Sequence, residues 1–303
     1  MEGQGRFGKW ALGVYFVLFV IFMYGPSILM AILSFQGKKG GITFPMEGFG
    51  GSWWKALWDE NAPLSKAAEI KEAGKNSLYL ALACGALTSF LAFTLSYAFR
   101  RRFKGDGVVF YLVLLCLMAP GFLLGLGTAL FWQTMGLSTG MWKTALGSNA
   151  IWALPFAFLV MMAVWNRYDK HIEEASRDLG ADAKTTFREV TLPLVWTGIF
   201  GCFLFGFTLT WNDYDRTLLL ISGSETQTLP LQIAGLTFTT AIRPDLYALG
   251  TATTLFTIIL ILVVLLVAAI RMRVGGGASA APVDSRDEEL GIAEEIHVEA
   301  VKH

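Results

Sequence analysis

Charged residues are scarce in this chain. Only 16% of its 303 residues are Asp, Glu, Lys or Arg, and the acidic and basic residues balance at 24 each. Soluble domains usually carry about 25% charged residues. This deficit, with a mean hydropathy of +0.52, excludes a disordered chain and a nucleic-acid-binding protein with a basic face. It also argues against an ordinary soluble globular protein.

Residues that commonly build catalytic centres are also few. The three cysteines stand singly within apolar runs, and the three histidines lack the spacing of metal ligands, so neither predicts a disulfide framework or a metal site. The sequence contains no Gly-x-x-x-x-Gly-Lys-Ser/Thr motif and hence no phosphate-binding loop of that type. We therefore expect no catalytic residue, no cofactor and no metal, and we do not expect an enzyme.

The apolar residues stand in six long uncharged runs. A helix needs roughly 20 apolar residues to cross about 30 Å of hydrocarbon, and each run supplies that length without the alternation of a barrel strand. The sequence predicts six transmembrane helices within residues 10–37, 76–99, 107–142, 144–166, 190–212 and 246–270. The first run could instead be a signal peptide, but its length and the absence of an A-x-A site favour a retained helix.

The distribution of Lys and Arg predicts the orientation of these helices. Basic residues are more numerous at the N-terminus and in segments 100–104, 167–188 and 271–273 than in the opposite loops. This bias places the N- and C-termini in the cytoplasm, although the first external loop, at about 38–75, holds six lysines. We expect a permease-type membrane domain over residues 1–274. A disordered acidic cytoplasmic tail is expected over residues 275–303, which contain seven acidic and two basic residues.

Three smaller features have structural interpretations. The tryptophans of the first external loop suit an interfacial belt or, alternatively, a docking surface; they are Trp53, Trp54 and Trp58. The basic run Arg100, Arg101 and Arg102 is expected to anchor the topology at the anionic leaflet. Three glycines of the third run, Gly121, Gly125 and Gly127, are expected to permit close helix packing.

A polar segment at about residues 167–193 joins the fourth and fifth predicted helices. Residues 168–179 favour a short helix with acids at its start, and Gly180 is placed to end it as a C′ glycine. A second short helix is expected at residues 181–189, and Pro193 suits the first turn of the next span. The pattern predicts a helix–turn–helix projection outside the membrane on the basic side.

This segment resembles the EAA loop of ABC importer permeases. The match consists of Glu174-Ala175-Ser176, Gly180, Val190 and Leu192-Pro193 at the spacing of that family, with Ser176 where the motif has alanine. In that family the loop forms a coupling helix that sits in a groove of a separate ATPase subunit. The resemblance therefore implies a set of ATPase-coupling residues: Glu174, Ala175, Ser176, Gly180, Leu192 and Pro193.

The resemblance extends over about residues 10–273 and is greatest to the second permease of spermidine/putrescine-type systems. Residues 96–105, 207–213 and 228–233 carry it. It implies an all-α type I ABC importer permease with six transmembrane helices and a cytoplasmic coupling helix between the fourth and fifth, in the plasma (inner) membrane of a prokaryote. The implied partners are a second permease subunit, two ATPase subunits, a periplasmic or extracellular substrate-binding protein and membrane lipid, without nucleic acid.

The resemblance makes a polyamine the first expectation for the transported solute, but two departures reduce the negative charge that would attract one. Pro120 is followed by Gly121 rather than by an acid, and Asn212-Asp213 replaces a pair of acids. An amino-acid-like solute, an opine, a phosphonate or a metal ion stays possible.

One charged cluster stands at the end of the fifth run, and it is the candidate transport pathway. It consists of Asn212, Asp213, Asp215 and Arg216. A charge at the bilayer centre costs roughly 2.5–3.5 kcal/mol, so such residues usually face a partner or a water-filled cavity. Helical spacing pairs Asp213 with Arg216 and Asn212 with Arg216. The alternative is a self-neutralising pair at the membrane interface with no part in transport.

Two functions of other classes are less well supported. An ion-coupled secondary transporter would need an intramembrane relay of ionisable residues and often an internal repeat, whereas this chain offers one cluster and no convincing repeat. A membrane-bound enzyme would need a constellation of histidines or acids at one membrane face, which three scattered histidines do not provide.

Overall fold

The computed structural model describes residues 3–38, 41–59, 66–221, 226–239 and 244–276. These residues are mainly helical and contain no β-strand; an isolated antiparallel bridge joins Gln36 and Phe49. The helices are α1 (Gly3–Leu33), α2 (Ser52–Ala56), α3 (Ala67–Ala98), α4 (Asp106–Met118), α5 (Gly121–Thr134), α6 (Leu146–Arg167), α7 (His171–Asp178), α8 (Ala183–Thr185), α9 (Leu192–Trp211), α10 (Asp215–Ile221), α11 (Leu229–Thr239) and α12 (Pro244–Gly276).

The chain divides into two compact units, Met1–Thr257 and Ile258–His303. The first unit contains every packing contact and site described below. The described part of the second is the end of α12, which continues through Gly275 and Gly276. The tail predicted at residues 275–303 otherwise lies outside the described residues.

Five helical segments of the described chain are long and apolar enough to cross a bilayer. They are Gly8–Leu33, Ala67–Ala98, Met141–Arg167, Ala183–Trp211 and Pro244–Val263. The pair α4 and α5 together supplies a sixth. The prediction of an all-α membrane protein with six apolar segments is therefore confirmed. Two helices start well before their uncharged runs: α1 begins at Gly3 rather than at residue 10, and α3 begins at Ala67 rather than near residue 76.

The third predicted span is not one helix, because the chain bends by 104° between α4 and α5. Ala119 has an extended backbone with ψ 120°, and Pro120 follows it. Proline disfavours helical backbone at the residue before it and has no N–H to continue the helix. The single helix predicted for residues 107–142 was therefore wrong, and the segment is a broken span or a re-entrant loop.

Three of the long helices, α3, α6 and α9, pack together as the core of the bundle. Small residues let α3 and α9 approach closely, as is usual in membranes. A Cβ atom at Gly85 would stand 2.8 Å from the Phe203 carbonyl oxygen, and one at Gly206 would stand 3.0 Å from the Gly85 Cα. Around this crossing the buried side chains Ala92, Ala157, Met161, Trp165, Val195 and Cys202 form a continuous apolar cluster.

The helix predicted at residues 181–189 is not a separate element. It begins as the single turn α8, continues as a π-helical turn over Thr186–Thr191 and runs into α9 without a break. Pro193 stands in the first turn of α9. Its ring has no N–H and would clash with the carbonyl of Glu189 in regular α-helix, so a wider turn just before it is the expected accommodation.

The loop at about residues 38–75, predicted to be external, packs part of its aromatic side chains against the residues that follow α1. Phe35 stacks between Phe49 and Trp54, at ring-centre distances of 5.2 and 5.6 Å. Trp54 also donates a hydrogen bond from Nε1 to the Ser34 hydroxyl at 3.2 Å. Of the three tryptophans predicted to form an interfacial belt or a docking surface, Trp54 is therefore a packing residue of this loop, whereas Trp58 is 65% exposed.

Candidate functional site

The segment that resembles the EAA loop forms a short polar helix, α7, which has no buried residue. Its end has the geometry of a glycine C-cap. Gly180 adopts φ +91°, its N–H donates to the Arg177 carbonyl at 2.8 Å, and the Ala181 N–H donates to the Ser176 carbonyl at 3.1 Å. This is a Schellman motif, in which a left-handed residue is most often glycine. The predicted role of Gly180 as the helix end is confirmed.

The turn after Gly180 is held by two polar contacts. Asp182 caps α8 by accepting a hydrogen bond from the Thr185 N–H at 2.8 Å, and hydrogen bonding by Thr185 lowers the pKa of Asp182. The Ser176 hydroxyl lies 3.2 Å from the Thr186 hydroxyl. Serine at this motif position therefore links α7 to the helix that follows.

The motif residues of α7 point largely away from the chain. Glu174 is exposed and pairs with His171 at 3.0 Å, and its hydrogen bond is the main cause of the raised pKa of His171. Ala175 is also exposed, and Leu179 is 90% exposed at the helix end. Leu192 is half-buried and Pro193 exposed at the start of α9. α7 thus presents an exposed apolar side chain, Leu179, at the end of an otherwise polar and exposed helix.

The best-connected residue of α7 is Glu173, which the sequence motif did not single out. Its Oε1 atom lies 2.9 Å from Arg100 Nη1 and accepts hydrogen bonds from the Tyr168 hydroxyl at 2.9 Å and the Thr191 hydroxyl at 2.8 Å. Burial raises the pKa of Glu173, but the hydrogen bonds and the charge of Arg100 outweigh burial, so the pKa is lowered. Glu173 is therefore held as a carboxylate.

Arg100 is enclosed by aromatic rings. The carbon at the centre of its guanidinium lies 5.3, 4.6 and 5.0 Å from the ring centres of Tyr97, Trp165 and Tyr168. Only 11% of its side chain is exposed. Arg100 is thus paired within the protein, and its predicted role as a lipid-headgroup anchor is wrong. Arg101 and Arg102 are exposed and keep that interpretation.

The charged cluster at the end of α9 separates into a buried pair and two exposed residues. Arg216 Nη2 lies 2.5 Å from Asp213 Oδ1, and the two residues are 4% and 6% exposed. The other carboxylate oxygen of Asp213 accepts hydrogen bonds from the Thr217 N–H at 3.0 Å and from the Thr217 hydroxyl. The predicted pairing of Asp213 with Arg216 is therefore present, and both carboxylate oxygens are occupied.

Arg216 joins three helices. Its Nε donates to Asn149 Oδ1 of α6 at 2.9 Å, and its guanidinium carbon lies 4.1 Å from the ring centre of Trp152. On the α5 side, a Cβ atom at Gly121 would stand 2.8 Å from Arg216 Nη1. The close packing predicted for the third run is thus packing against this arginine at Gly121 and Gly125. For Gly127 the prediction is wrong, because a Cβ atom there would meet nothing within 4 Å.

The two exposed residues of the cluster are Asn212 and Asp215. Asn212 donates to the Thr208 carbonyl at 2.9 Å, so its side chain bonds within α9 instead of meeting Arg216 as the spacing suggested. Asp215 opens α10. The cluster therefore offers one exposed carboxylate beside a buried, neutralised pair.

Comparison with known proteins decides the class. Residues 82–274 match the model of the family described as binding-protein-dependent transport system inner membrane component. The chain belongs to this family. It is a multi-pass inner-membrane permease component of an ABC importer, and it is not itself an enzyme. The predicted class is confirmed, and the ion-coupled transporter and the membrane enzyme are set aside.

Individual relatives agree with this assignment. The chain is 24% identical over 270 residues to the spermidine/putrescine transport system permease protein PotC of Shigella flexneri, covering 89% of this chain and 98% of that one. It is 25% identical over 238 residues to the putrescine transport system permease protein PotI of Escherichia coli K12, covering 76% and 80%. The spermidine/putrescine resemblance found in the sequence is confirmed.

Solved structures of ABC importers have the same fold. A chain of a bacterial ABC transporter involved in import of the acidic polysaccharide alginate superposes with a TM-score of 0.57 at 17% identity, covering 89% of this chain and 98% of that one. A second alginate ABC transporter structure, in complex with a pentasaccharide-bound periplasmic protein, gives a TM-score of 0.61 at 17% identity. At this identity the likeness shows the permease fold alone.

Proposed function

We propose that this permease component moves a small organic cation of the polyamine class from an external binding protein into the cytoplasm. The observation that carries the proposal is the match to spermidine/putrescine permeases along almost their whole length. The importer would contain a second permease subunit and two ATPase subunits besides this chain. The transport pathway would alternate between outward- and inward-facing states, driven by ATP binding in the partner subunits.

We infer that α7 is the surface that receives the ATPase subunit. It is polar, carries no buried residue and ends in a Schellman turn that presents Leu179. The coupling set that the sequence predicted, Glu174, Ala175, Ser176, Gly180, Leu192 and Pro193, lies on α7, its end and the start of α9. This placement requires α7 to be on the cytoplasmic side, and with α4 and α5 as one broken span it puts both chain termini there as well.

We further propose that the residues of the charged cluster have two different roles, one in transport and one in structure. Asp215 and Asn212, which are exposed, would contact the passing cation. Asp213 and Arg216 would hold that end of the helix bundle, because their charges are already satisfied inside the protein. A fixed carboxylate along the passage offsets part of the hydration that a cation loses there.

Cysteine cross-linking on the assembled importer tests the partner and the orientation together. In Leu179→Cys, with the three native cysteines replaced, a benzophenone maleimide attached to the new thiol should photo-cross-link α7 to the ATPase subunit in inverted vesicles. Phe49→Cys is the matched control, because Phe49 is also an exposed apolar residue, at 79% exposure, but lies in the loop predicted to be external. It should react with a membrane-impermeant thiol reagent in right-side-out cells and should not join the ATPase. The reverse pattern would overturn the proposed arrangement.

A further inference from the structure

The exposed residues of α7 leave open how a movement of this helix reaches the transmembrane bundle. Because α7 has no buried residue, its connection to the bundle depends on its two ends and on a few side-chain contacts. Within the described chain, one tie, between Ser176 and Thr186, connects α7 to the π turn that leads into α9. The other is Glu173, and it has a different character.

Glu173 connects α7 to all three helices of the bundle core. Its Oε1 atom meets Arg100 just after α3, Tyr168 just after α6 and Thr191 just before α9. These helices pack on one another along their length. One carboxylate oxygen therefore contacts a residue next to one end of each of the three core helices, the end that lies nearest α7.

Arg100, the ion-pair partner of Glu173, is held in place by several side chains. The rings of Tyr97, Trp165 and Tyr168 form an aromatic box around Arg100. Trp165 donates a hydrogen bond from Nε1 to the Ser96 hydroxyl at 3.0 Å and thereby fixes this aromatic box to α3. Tyr97 and Phe93 contact the ring of Phe187 in the π turn, with centre distances of 5.7 and 6.2 Å. A planar guanidinium stacked on rings and paired with a carboxylate has little freedom to shift.

We propose that the Arg100–Glu173 ion pair in its aromatic box is the joint through which α7 moves α3, α6 and α9. The inference rests on the proposed coupling role of α7. Removing one partner would leave the other charge poorly solvated at a site that is only 11–14% exposed. The joint would loosen while the bundle core, whose apolar contacts lie deeper, would remain. Arg100 and Glu173 are positioning residues, since neither contacts solute or ATP.

The test separates transport from ATP hydrolysis in the complete importer. The complex is reconstituted with its binding protein. Labelled spermidine accumulated and phosphate released are then measured in the same sample, and each is expressed per assembled complex. Arg100→Gln and Glu173→Gln should keep hydrolysis but lower the solute moved per ATP by about fivefold or more. Arg100→Lys keeps the charge without the planar fork and should lie between Arg100→Gln and wild type. Arg101→Gln, which removes a neighbouring exposed charge, should match wild type.

The readout is a ratio, so a merely structural role gives a different result. If the variants lose uptake and hydrolysis in equal proportion, or if Arg100→Gln keeps the wild-type ratio, the joint is refuted. For a variant with a poor yield, only the assembled fraction isolated by size exclusion is assayed. Arg100→Lys supplies a milder change at the same site. Failure of the proposed function looks different, because then the wild-type complex itself shows no ATP-dependent spermidine uptake.

Discussion

Gly125 of α5 lies so close to Arg216 of α10 that a Cβ atom at position 125 would stand 3.0 Å from the Arg216 Cα. The glycine is needed because backbone, not a movable side-chain tip, occupies the space. The bent third segment, formed by α4 and α5, is thereby locked to the end of the fifth. This contact links the break at Pro120 to the charged cluster, two features that the sequence presents separately.

Substitution of this glycine should therefore destabilise the bundle. Gly125→Ala gains up to about 1 kcal/mol of helix propensity but forces α5 away from α10, and we expect a net loss of about 1–2 kcal/mol. The measurement is thermal unfolding of the purified complex in detergent. Gly127→Ala is the matched control, because a Cβ atom there would meet nothing within 4 Å; it should unfold at or slightly above the wild-type temperature. Equal behaviour of the two variants would contradict the packing argument.

Asp213→Asn should damage folding more than transport. It leaves the guanidinium of Arg216 buried beside a neutral amide, and removal of one partner from a buried pair costs about 3–5 kcal/mol. We expect a lower yield of assembled complex and a lower unfolding temperature, with near-normal uptake per surviving complex. A stable Asp213→Asn complex with slow uptake would show instead that this carboxylate serves the solute directly.

Asp215→Asn should have the opposite profile. Asp215 is exposed, so its loss should leave assembly unchanged. One carboxylate near a passing cation contributes about 1 kcal/mol, which corresponds to roughly fivefold in the rate of spermidine uptake. The rate should be measured at low ionic strength, since salt screens exposed charges. Wild-type rates at low salt would remove Asp215 from the proposed pathway.

Gly180 should tolerate few replacements. A residue with a Cβ in the left-handed region costs about 1–2 kcal/mol, and asparagine is the usual exception. Since a Cβ at this position meets nothing within 4 Å, the strain comes from φ +91° and not from crowding. Gly180→Trp should insert and assemble but lose uptake, whereas Gly180→Asn should retain most of it. Normal ATP-dependent uptake by Gly180→Trp would refute the coupling role of this turn.

The ion pair of Glu173 predicts a particular response to acid. Its pKa is lower in the folded protein than its usual value of 4.5. A group with a depressed folded pKa adds stability above its unfolded pKa and loses it as pH falls through the folded value. Wild type should therefore lose unfolding temperature faster than Glu173→Gln as pH falls below about 4.5. Parallel curves for the two proteins would mean that the carboxylate adds no net stability.

The tail should be dispensable. Its acid-rich composition and glycine run led to the prediction of no packed structure for residues 275–303. A chain that ends at Gly276 should assemble and transport at wild-type levels. A large loss of either would indicate that the tail binds a partner, for which a basic face of the ATPase subunit is the best candidate.

Composition and motif spacing were enough to predict the helical segments and the turn at Gly180, because both depend on local rules. Long uncharged runs form helices in lipid, and glycine ends helices. The pairing of Asp213 with Arg216 followed from helical spacing for the same reason. The break at Pro120 could not be predicted in this way, because transmembrane helices often tolerate proline. Pro26 and Pro155, for example, lie inside α1 and α6 without ending them.

The Arg100–Glu173 joint could not be predicted in this way. The two residues are far apart in the chain and meet only once α3, α6 and α9 have packed. A basic run after a transmembrane helix is usually a topology signal, and this one conceals an arginine that turns inward. Its neighbours Tyr97, Trp165 and Tyr168 are ordinary interfacial aromatics in the sequence, and only their convergence on one guanidinium distinguishes them.

Labelled spermidine uptake by proteoliposomes tests the central proposal most directly. The vesicles contain this chain, its partner permease and the ATPase subunits, with ATP inside and the binding protein outside. The account predicts accumulation that stops when ATP or the binding protein is omitted and that is indifferent to an imposed proton or sodium gradient. Accumulation without ATP that follows such a gradient would contradict it.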